Sequence, residues 1–338
     1  MINVAINGFG RIGRMVLRAG WKNKNINFVA INDLTDNKTL AYLLKNDSAQ
    51  GKFAEDLQHT DSTLMIGKKK IPIFAEKDPS QLPWKKLKVD VVVESTGRFT
   101  NPEAAKVHLN AGARKVLISA PCKCDGVCPV DTKTLVYGVN EKDYNKKKHH
   151  IISNASCTTN CVAPVLKIIN DHFKIKQCFF STIHAYTSTQ RTVDGPSGKL
   201  RKGRAAAVNI IPSTTGADIA TIKTIPELSG KIKGIAFRVP LVNGSVTDFS
   251  IEVEKSTTKE KVNDLFKKMA KSKYKNILEY SEEELVSMDI IHNPHSTIID
   301  GLLTEVVGKY HIKLIAWYDN EWGYSNRMID MIKIIGGK

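Results

Sequence analysis

Two cysteines lie four positions apart in residues 153–161, SNASCTTNC, a segment otherwise made of small, hydroxyl and amide side chains. The apolar residues that follow are spaced as on a helix, so Cys157 falls in the first helical turn. Free N–H groups and the helix dipole stabilise a thiolate there, and the sequence predicts a nucleophile with a lowered pKa. A buried packing pair, a disulfide with Cys161 and a metal site are the alternatives.

A nucleophilic cysteine needs a proton acceptor, and His184 in STIHAYT is the candidate because it ends a β-rich run. A buried histidine with a purely structural role is the alternative. A disulfide is disfavoured because we expect an intracellular protein, whose thiols are normally reduced. Zinc is disfavoured because the spacing is not C-x-x-C and no second pair of cysteines has a spacing suited to a zinc site.

A glycine-rich segment, INGFGRIGR, follows the first apolar run and opens a helical pattern. Gly8, Gly10 and Gly13 have the spacing that permits a tight turn, approach of a pyrophosphate to the backbone, and close packing of helix on strand. Asp33 lies twenty residues further on, where a carboxylate accepts hydrogen bonds from a ribose hydroxyl and repels a 2′-phosphate. The segment predicts binding of NAD rather than NADP, with an ordinary tight turn as the alternative.

The elements that must position these residues change character along the chain. Apolar runs alternate with helical patterns in the first half, which predicts a parallel sheet covered on both faces. Consecutive β-rich runs dominate the second half and indicate a mainly antiparallel α+β domain. One amphipathic helix interrupts them, with Thr257 and Glu260 as its predicted capping box. The apolar runs are 3–6, 27–31, 89–94 and 115–119, and the β-rich runs are 177–184, 234–240, 247–254 and 312–318.

The length of 338 residues fits two domains, and 42% hydrophobic residues suffice for a substantial core. We find no signal peptide pattern and no apolar run as long as a membrane span. The net charge of +16 includes two lysine runs, 68–70 and 146–148. Solvated loops explain these runs best. Attraction of phosphorylated metabolites or nucleic acid is the alternative, although no nucleic-acid-binding motif accompanies the charge.

Seven segments together resemble the phosphorylating glyceraldehyde-3-phosphate dehydrogenases, from residue 2 to about residue 331 of this chain. The segments are INGFGRIGR, INDLTD, ESTGRFT, SNASCTTNC, HAYTSTQRTVDGPSGKL, IAFRVP and WYDNEWGYSNR. The resemblance implies an α/β fold with a Rossmann-type NAD-binding domain, formed by residues 1–156 and 322–338. It also implies an α+β catalytic domain with a mainly antiparallel sheet, formed by residues 157–321.

The family mechanism assigns roles to matching residues. Cys157 would attack the aldehyde of glyceraldehyde 3-phosphate, and His184 would take a proton as hydride moves to NAD. Inorganic phosphate would then cleave the resulting thioester to give 1,3-bisphosphoglycerate. The residues matching the substrate phosphate site are Thr187 and Arg238, and those matching the inorganic phosphate site are Ser156, Thr158, Thr215 and Gly216. The predicted cofactor residues are Gly8, Gly10, Arg11, Ile12, Gly13, Asp33, Ser119 and Asn320.

The resemblance further implies a cytoplasmic homotetramer, with Cys161 in a packing role and no metal in the active site. Erythrose-4-phosphate dehydrogenase and a nucleic-acid-binding protein are the alternative functions. One segment departs from the family, a loop containing Cys122, Cys124 and Cys128. We interpret these as incidental cysteines of a surface loop. A soft metal bound with His149 or His150 is the alternative.

Overall fold

The computed structural model describes residues 1–124 and 126–337, so Lys338 of the predicted segment 322–338 lies outside the described part. The described residues form two compact units. Unit 1 consists of Met1–Leu135, Glu141–Ala155 and Ser325–Lys338, and unit 2 of Val136–Asn140 and Ser156–Tyr324. Across the described residues, no helix combines the length and apolarity needed to cross a membrane.

Unit 1 contains a nine-stranded sheet, with helices between β1 and β2, between β2 and β3, and between β6 and β7. Its strands are β1 (Ile2–Asn7), β2 (Ile26–Asn32), β3 (Leu57–Thr60), β4 (Thr63–Ile66), β5 (Lys69–Phe74), β6 (Val91–Glu94), β7 (Lys115–Ile118), β8 (Thr132–Thr134) and β9 (Ile151–Ser153). Its helices are α1 (Arg11–Gly20), α2 (Asn37–Lys45), α3 (Pro102–Ala105) and α4 (Val107–Asn110). The strand order is β3-β4-β5-β2-β1-β6-β7-β9-β8.

The central strands of unit 1 run parallel, and only β3, β4 and β5 pair with each other in antiparallel fashion. Strands β1, β6 and β7 supply a buried core of valines and isoleucines, as expected for a sheet covered on both faces. The carboxyl ends of these parallel strands lie at one edge of the sheet, and the glycine loop follows β1 at that edge.

Unit 2 contains an eight-stranded sheet and one long helix on it. The elements are α5 (Cys157–Phe173), β10 (Ile175–Ala185), β11 (Ile211–Thr214), α6 (Ala217–Thr224), β12 (Ile232–Val239), β13 (Ser245–Val253), α7 (Lys259–Lys271), β14 (Leu278–Ser281), β15 (Thr297–Asp300), β16 (Glu305–Val307) and β17 (His311–Tyr318). The strand order is β11-β12-β10-β13-β17-β15-β14, with β16 on β17. The last helix of the chain, α8, is Trp322–Gly336.

The sheet of unit 2 is mainly antiparallel, with parallel pairing of β10 with β12 and of β14 with β15. A parallel sheet in unit 1 and a mixed, mainly antiparallel sheet in unit 2 confirm the predicted fold class. One detail was wrong: Thr258 rather than Thr257 caps α7, since its side chain accepts a hydrogen bond from Lys261 N at 3.3 Å.

The cysteine-containing loop that follows β7 also differs from the prediction of incidental surface cysteines. Cys124 and Cys128 form a disulfide with Cα atoms 5.2 Å apart, and Cys122 is a buried free thiol. All three pack against one apolar cluster of unit 1, which includes Ile118 and Ile151. The disulfide and the buried Cys122 thiol therefore have structural roles in the described chain. His149 does not support the alternative of a soft metal site, since its Nδ1 accepts a hydrogen bond from Asn145 N at 3.0 Å.

Candidate active site

Cys157 is the first residue of α5. Ser156 caps this helix, and its Oγ accepts a hydrogen bond from Thr159 N at 3.1 Å. A serine cap of this kind is worth about 1 kcal/mol and fixes where the helix starts. The thiol of Cys157 thus stands at the amino end of a seventeen-residue helix, as the spacing of apolar residues predicts.

Strand register brings the next two side chains together. His184, near the end of β10, is the direct neighbour of Arg238 on the parallel strand β12. Arg238 Nη1 lies 2.5 Å from His184 Nδ1 and donates to the carbonyl oxygen of Ala185 at 3.0 Å. Because the two residues are opposite each other across a ladder, their contact follows from the pairing of the strands.

The thiol and the imidazole meet across α5 and β10. Cys157 Sγ lies 3.4 Å from His184 Nε2, within the range of a sulfur hydrogen bond. Burial, reinforced by the Arg238 charge, lowers the pKa of His184 to about 3, so the ring is neutral at physiological pH. A neutral imidazole facing a thiol can accept its proton, which is the first requirement for a cysteine nucleophile.

The prediction of a lowered Cys157 pKa was wrong. Burial raises the pKa of this thiol, and the opposing effects of the Arg238 charge and of hydrogen bonds from Thr158 do not offset it. The helix starts where the sequence predicts, but desolvation destabilises the thiolate more than the helix start stabilises it. The helix start therefore does not by itself bring the pKa of this thiol below its ordinary value.

The two neighbours of His184 Nδ1 favour opposite tautomers. The Ala185 carbonyl, 2.6 Å away, requires a proton on Nδ1, which leaves Nε2 free to accept the thiol proton. The Arg238 guanidinium can only donate and favours a lone pair on Nδ1. The position of the Arg238 side chain therefore controls whether Nε2, the ring nitrogen that faces Cys157, is a proton acceptor.

A buried tyrosine that the sequence did not single out supports this pair. Tyr318 OH lies 2.7 Å from Thr182 Oγ1 and 3.1 Å from Thr158 Oγ1, and its ring meets the His184 ring edge-on at 6.0 Å between centroids. These contacts connect the first turn of α5 with β10 and β17. Its only sequence signal is its place in the WYDNE segment.

Asn320 follows β17 in a tightly bonded turn. Its side-chain oxygen accepts a hydrogen bond from Ser245 Oγ at 2.8 Å, while Asp319 Oδ1 accepts from Glu321 N and Trp322 N at 2.8 and 2.7 Å. Ser245 itself accepts a hydrogen bond from the backbone of Ala185 at 3.3 Å. Asn320 is thereby held in one orientation and tied to the strand that carries His184. Nothing in the sequence pointed to Ser245.

The remaining predicted phosphate residues lie in loops of unit 2. Thr187, beyond the end of β10, has its hydroxyl 3.0 Å from that of Thr189. Thr215 Oγ1 accepts a hydrogen bond from Ala217 N at 3.2 Å, and Gly216 is the residue before α6. Among the described residues, neither threonine is joined to the Cys157–His184 pair by a hydrogen bond. The structure thus groups Ser156, Cys157, Thr158, His184 and Arg238, and it leaves Thr187, Thr215 and Gly216 in other loops of unit 2.

The glycine loop of unit 1 has the geometry that its spacing predicts. Gly8 has φ +92°, and a Cβ atom there would lie 2.6 Å from Thr96 N. A Cβ atom on Gly13 would lie 2.2 Å from the carbonyl oxygen of Gly8, whereas the space beside Gly10 is open. Only glycine therefore fits at the two crowded positions, and Gly10 leaves room for a ligand to approach the backbone.

The start of α1 is open in the same way. Its N-cap is Gly10, and no side chain caps the first N–H groups. Such uncapped N–H groups at a helix start are suited to a phosphate. Arg11 forms an ion pair with Asp47, and Ile12 is half-buried in the first turn.

Asp33 closes this loop from the next strand. Its carboxylate accepts hydrogen bonds from Phe9 N at 2.7 Å and from Thr35 N at 2.9 Å, and the side chain remains partly exposed. Ser119, directly after β7, is also partly exposed and donates its N–H to the Glu94 carbonyl oxygen at 3.0 Å. Residues of β1, β2 and β7 therefore provide a cradle with room for a pyrophosphate and a carboxylate beside it, which fits a dinucleotide.

Comparisons with known proteins agree with both units. A family model described as "Glyceraldehyde 3-phosphate dehydrogenase, NAD binding domain" matches residues 2–102, and one described as "Glyceraldehyde 3-phosphate dehydrogenase, C-terminal domain" matches residues 156–320. Together these matches span most of the chain. The second match begins at the residue that caps α5.

Full-length relatives carry the same name. "Glyceraldehyde-3-phosphate dehydrogenase" of Geobacillus stearothermophilus is 49% identical over 337 residues, covering 100% of this chain and 99% of the relative. "Glyceraldehyde-3-phosphate dehydrogenase 2" of Streptomyces avermitilis is 47% identical over 338 residues, with the same coverage. "Glyceraldehyde-3-phosphate dehydrogenase 1" of Kluyveromyces marxianus is 48% identical over 335 residues, covering 98% and 99%. Because this likeness extends over the whole chain, the chain belongs to the glyceraldehyde-3-phosphate dehydrogenase family.

Proposed function

We propose that the protein converts D-glyceraldehyde 3-phosphate to 1,3-bisphosphoglycerate through a thioester on Cys157. As a member of its family it is an NAD-dependent oxidoreductase. The observation that carries the assignment of the nucleophile is the 3.4 Å contact between Cys157 Sγ and a neutral His184 Nε2 beside Arg238. A thiol, a proton acceptor and a cation for the phosphate are the groups that attack on a phosphorylated aldehyde requires.

In the first step the thiol adds to the aldehyde carbon. The carbon–sulfur bond forms as His184 Nε2 takes the thiol proton. The imidazolium then gives this proton to the carbonyl oxygen, which becomes the hydroxyl of a thiohemiacetal, and His184 is neutral again. Nδ1 keeps its proton on the Ala185 carbonyl during this exchange. Binding of the substrate phosphate by Arg238 would draw the guanidinium away from Nδ1, which favours the tautomer that this step needs.

In the second step the thiohemiacetal is oxidised to a thioester. His184 accepts the hydroxyl proton, and NAD, when bound, supplies the acceptor for the hydride that the same carbon loses. We assign the cofactor cradle to Gly8, Gly10, Arg11, Ile12, Gly13, Asp33 and Ser119, and the carboxamide contact to Asn320. Asp33 favours NAD, because its charge repels the 2′-phosphate of NADP.

In the last step an oxygen of inorganic phosphate attacks the thioester carbon. The carbon–sulfur bond breaks, the acyl phosphate leaves, and the sulfur regains a proton from His184. Ser156, Thr158, Thr215 and Gly216 are the proposed phosphate residues. Hydroxyl and N–H donors suit an anion that must bind and leave in every cycle, whereas Arg238 with Thr187 holds the phosphate of the substrate.

We further propose that the protein is a cytoplasmic homotetramer. Exposed apolar side chains on unit 2 support the assembly: Phe179 on β10 is 67% exposed and Ile235 on β12 is 42% exposed. They line an apolar cleft of about 710 Å³ together with Leu200. Exposed apolar surface of this kind marks an interface between chains.

The assignment of the nucleophile is tested by NADH formation from glyceraldehyde 3-phosphate. The reaction should require inorganic phosphate, and Cys157→Ser should abolish it. Cys161→Ser is the matched control on the same helix, and it should keep NADH formation. Activity that survives in the Cys157 variant would refute the proposal.

Erythrose 4-phosphate serves as the alternative substrate in the same assay. The relatives named above favour the triose substrate. A higher kcat/KM with erythrose 4-phosphate, or turnover that needs no phosphate, would contradict the assignment.

A further inference from the structure

A second cleft lies in unit 1 at the amino ends of β7 and β9. These strands run parallel to β1, so the cleft is at the sheet edge opposite the glycine loop. Its volume is about 610 Å³, and its lining residues are Leu109, Ala113, Arg114, Lys115, Lys146, Lys147 and His150. Neither the proposed reaction nor the cofactor uses any of these residues.

The lining of this cleft is basic and contains no carboxylate. Arg114 has an acidic partner in Asp90, whose Oδ1 accepts a hydrogen bond from Arg114 Nη1 at 2.8 Å. Lys115 is buried, and burial together with the charges of Arg114 and Lys146 lowers its pKa to about 8. Several positive charges therefore repel one another here, and a bound anion would relieve that repulsion.

The lysine run at this cleft is held in place by specific hydrogen bonds. Lys115 Nζ donates to the carbonyl oxygens of Lys146 and His149, both at 2.6 Å. Asn145 Oδ1 accepts from Lys147 N at 3.0 Å and from Lys148 N at 3.1 Å. The backbone that carries Lys146 and Lys147 is thus fixed before any ligand arrives, which reduces the entropy lost on binding.

The other lysine run of unit 1 provides a contrast. Lys68 and Lys70 are exposed, as Lys146 and Lys147 are, but Lys69 Nζ donates to the side chain of Asn27, at 2.7 Å from its Oδ1, and not to backbone carbonyl oxygens as Lys115 does. No residue of this run lines the basic cleft. The two runs have the same composition but different surroundings.

We propose that the basic cleft binds a small organic phosphate, with the phosphate between Lys146 and Lys147 and an apolar body against Leu109 and Ala113. Lysine ammonium groups bind phosphate as point charges. The volume is in the range of small-molecule sites, and the apolar wall distinguishes the cleft from a bare anion site. The site is independent of the oxidation of the aldehyde.

Binding is tested with 1-naphthyl phosphate, a fluorescent aryl phosphate, on the full-length NAD-loaded enzyme. Lys146→Glu with Lys147→Glu should weaken binding on the order of tenfold or more, because two charge-assisted contacts become repulsive. The matched control is Lys68→Glu with Lys70→Glu, which changes the net charge equally and should leave binding unchanged. Both variants keep the phosphate residues of unit 2, so their difference reports only the basic cleft.

Competition and activity complete the test. Inorganic phosphate and 1-naphthol should each displace the probe weakly, because each offers one half of the proposed ligand. NADH formation should persist in both lysine variants. If Lys146→Glu with Lys147→Glu does not fold, Lys146→Gln with Lys147→Gln takes its place. Equal loss in both variants, or no loss in either, overturns the proposal. Displacement by an oligonucleotide at lower concentration than by any aryl phosphate also overturns it, in favour of a polyanion.

Discussion

Cys157 and Cys161 show how much the surroundings decide for one residue type. They lie one turn apart on α5, yet only Cys157 faces an imidazole. Cys161 is fully buried against Thr247 and Thr297, and burial raises its pKa to about 12. One thiol therefore faces a proton acceptor, whereas the other is packed among buried side chains.

Arg238 should control the titration of the Cys157 thiol. Its positive charge favours the thiolate, so Arg238→Leu should raise the pKa of Cys157 further and move the midpoint of alkylation to higher pH. The same change should raise the pKa of His184, since the Arg238 charge disfavours the imidazolium. Rates of alkylation by iodoacetamide as a function of pH measure the first shift, and histidine NMR signals measure the second.

The control for this prediction is Arg204→Leu. The Arg204 guanidinium pairs with the exposed carboxylate of Asp194, so its removal should leave the alkylation profile in place. A wild-type profile in the Arg238 variant would show that the charge does not act on the thiol.

Tyr318 should act as a positioning residue for the phosphate site. Tyr318→Phe removes the hydroxyl that contacts Thr158 and Thr182, and loss of such buried hydrogen bonds costs about 1 kcal/mol or more of stability. We expect a raised KM for inorganic phosphate, because Thr158 loses its fixed orientation. Steady-state kinetics at varied phosphate concentration measure this effect. Tyr280→Phe, which loses only a 3.4 Å contact with Glu282, should leave this KM unchanged.

At the scale of elements, α5, β10, β12 and β17 together position the side chains around the first turn of α5. The Ser156 cap fixes the first turn of α5, and the pairing of β10 with β12 places His184 beside Arg238. Tyr318 at the end of β17 contacts Thr158 in that first turn. Each of these contacts joins two elements that could form separately. The site therefore depends on the packing of α5 on the sheet as much as on the residues themselves.

The disulfide between Cys124 and Cys128, in the loop after β7, should stabilise the folded protein. Closing a short loop between Cys124 and Cys128 removes chain entropy worth roughly 2 kcal/mol from the unfolded state. Replacing both by serine should lower the midpoint of thermal unfolding, and dithiothreitol should lower that of the wild type by a similar amount. The serine variant should not respond to dithiothreitol. A wild-type midpoint that is the same with and without reductant would contradict this role.

At the scale of the whole molecule, the proposed assembly should depend on the apolar cleft of unit 2. Phe179→Glu places a charge in apolar surface that a second chain would cover, and an unpaired buried charge weakens association strongly. Analytical ultracentrifugation should show a species four times the mass of the 37.5 kDa chain in the wild type and smaller species in the variant. Val286→Asp, at another exposed apolar position, should not change the mass. A Phe179 variant that remains tetrameric would exclude this surface from the interface.

The sequence by itself determined the features that depend on local order. Residue spacing predicts the helix start at Cys157, the crowded positions of Gly8 and Gly13, and the strand runs of both sheets. Each of these features follows from sterics and periodicity, and both depend only on residues close together in the sequence. The resemblance to a family added the roles of residues far apart in the chain.

Only the tertiary structure decided which distant residues meet and what burial does to them. His184 is 27 residues from Cys157, and Tyr318 is 160 residues from Thr158, so their contacts depend on how the elements pack. The pKa of Cys157 is raised because desolvation outweighs the helix start, and the depth of burial is a property of the folded chain. The same reason explains the pairing of Cys124 with Cys128, since spacing alone does not say which thiols meet.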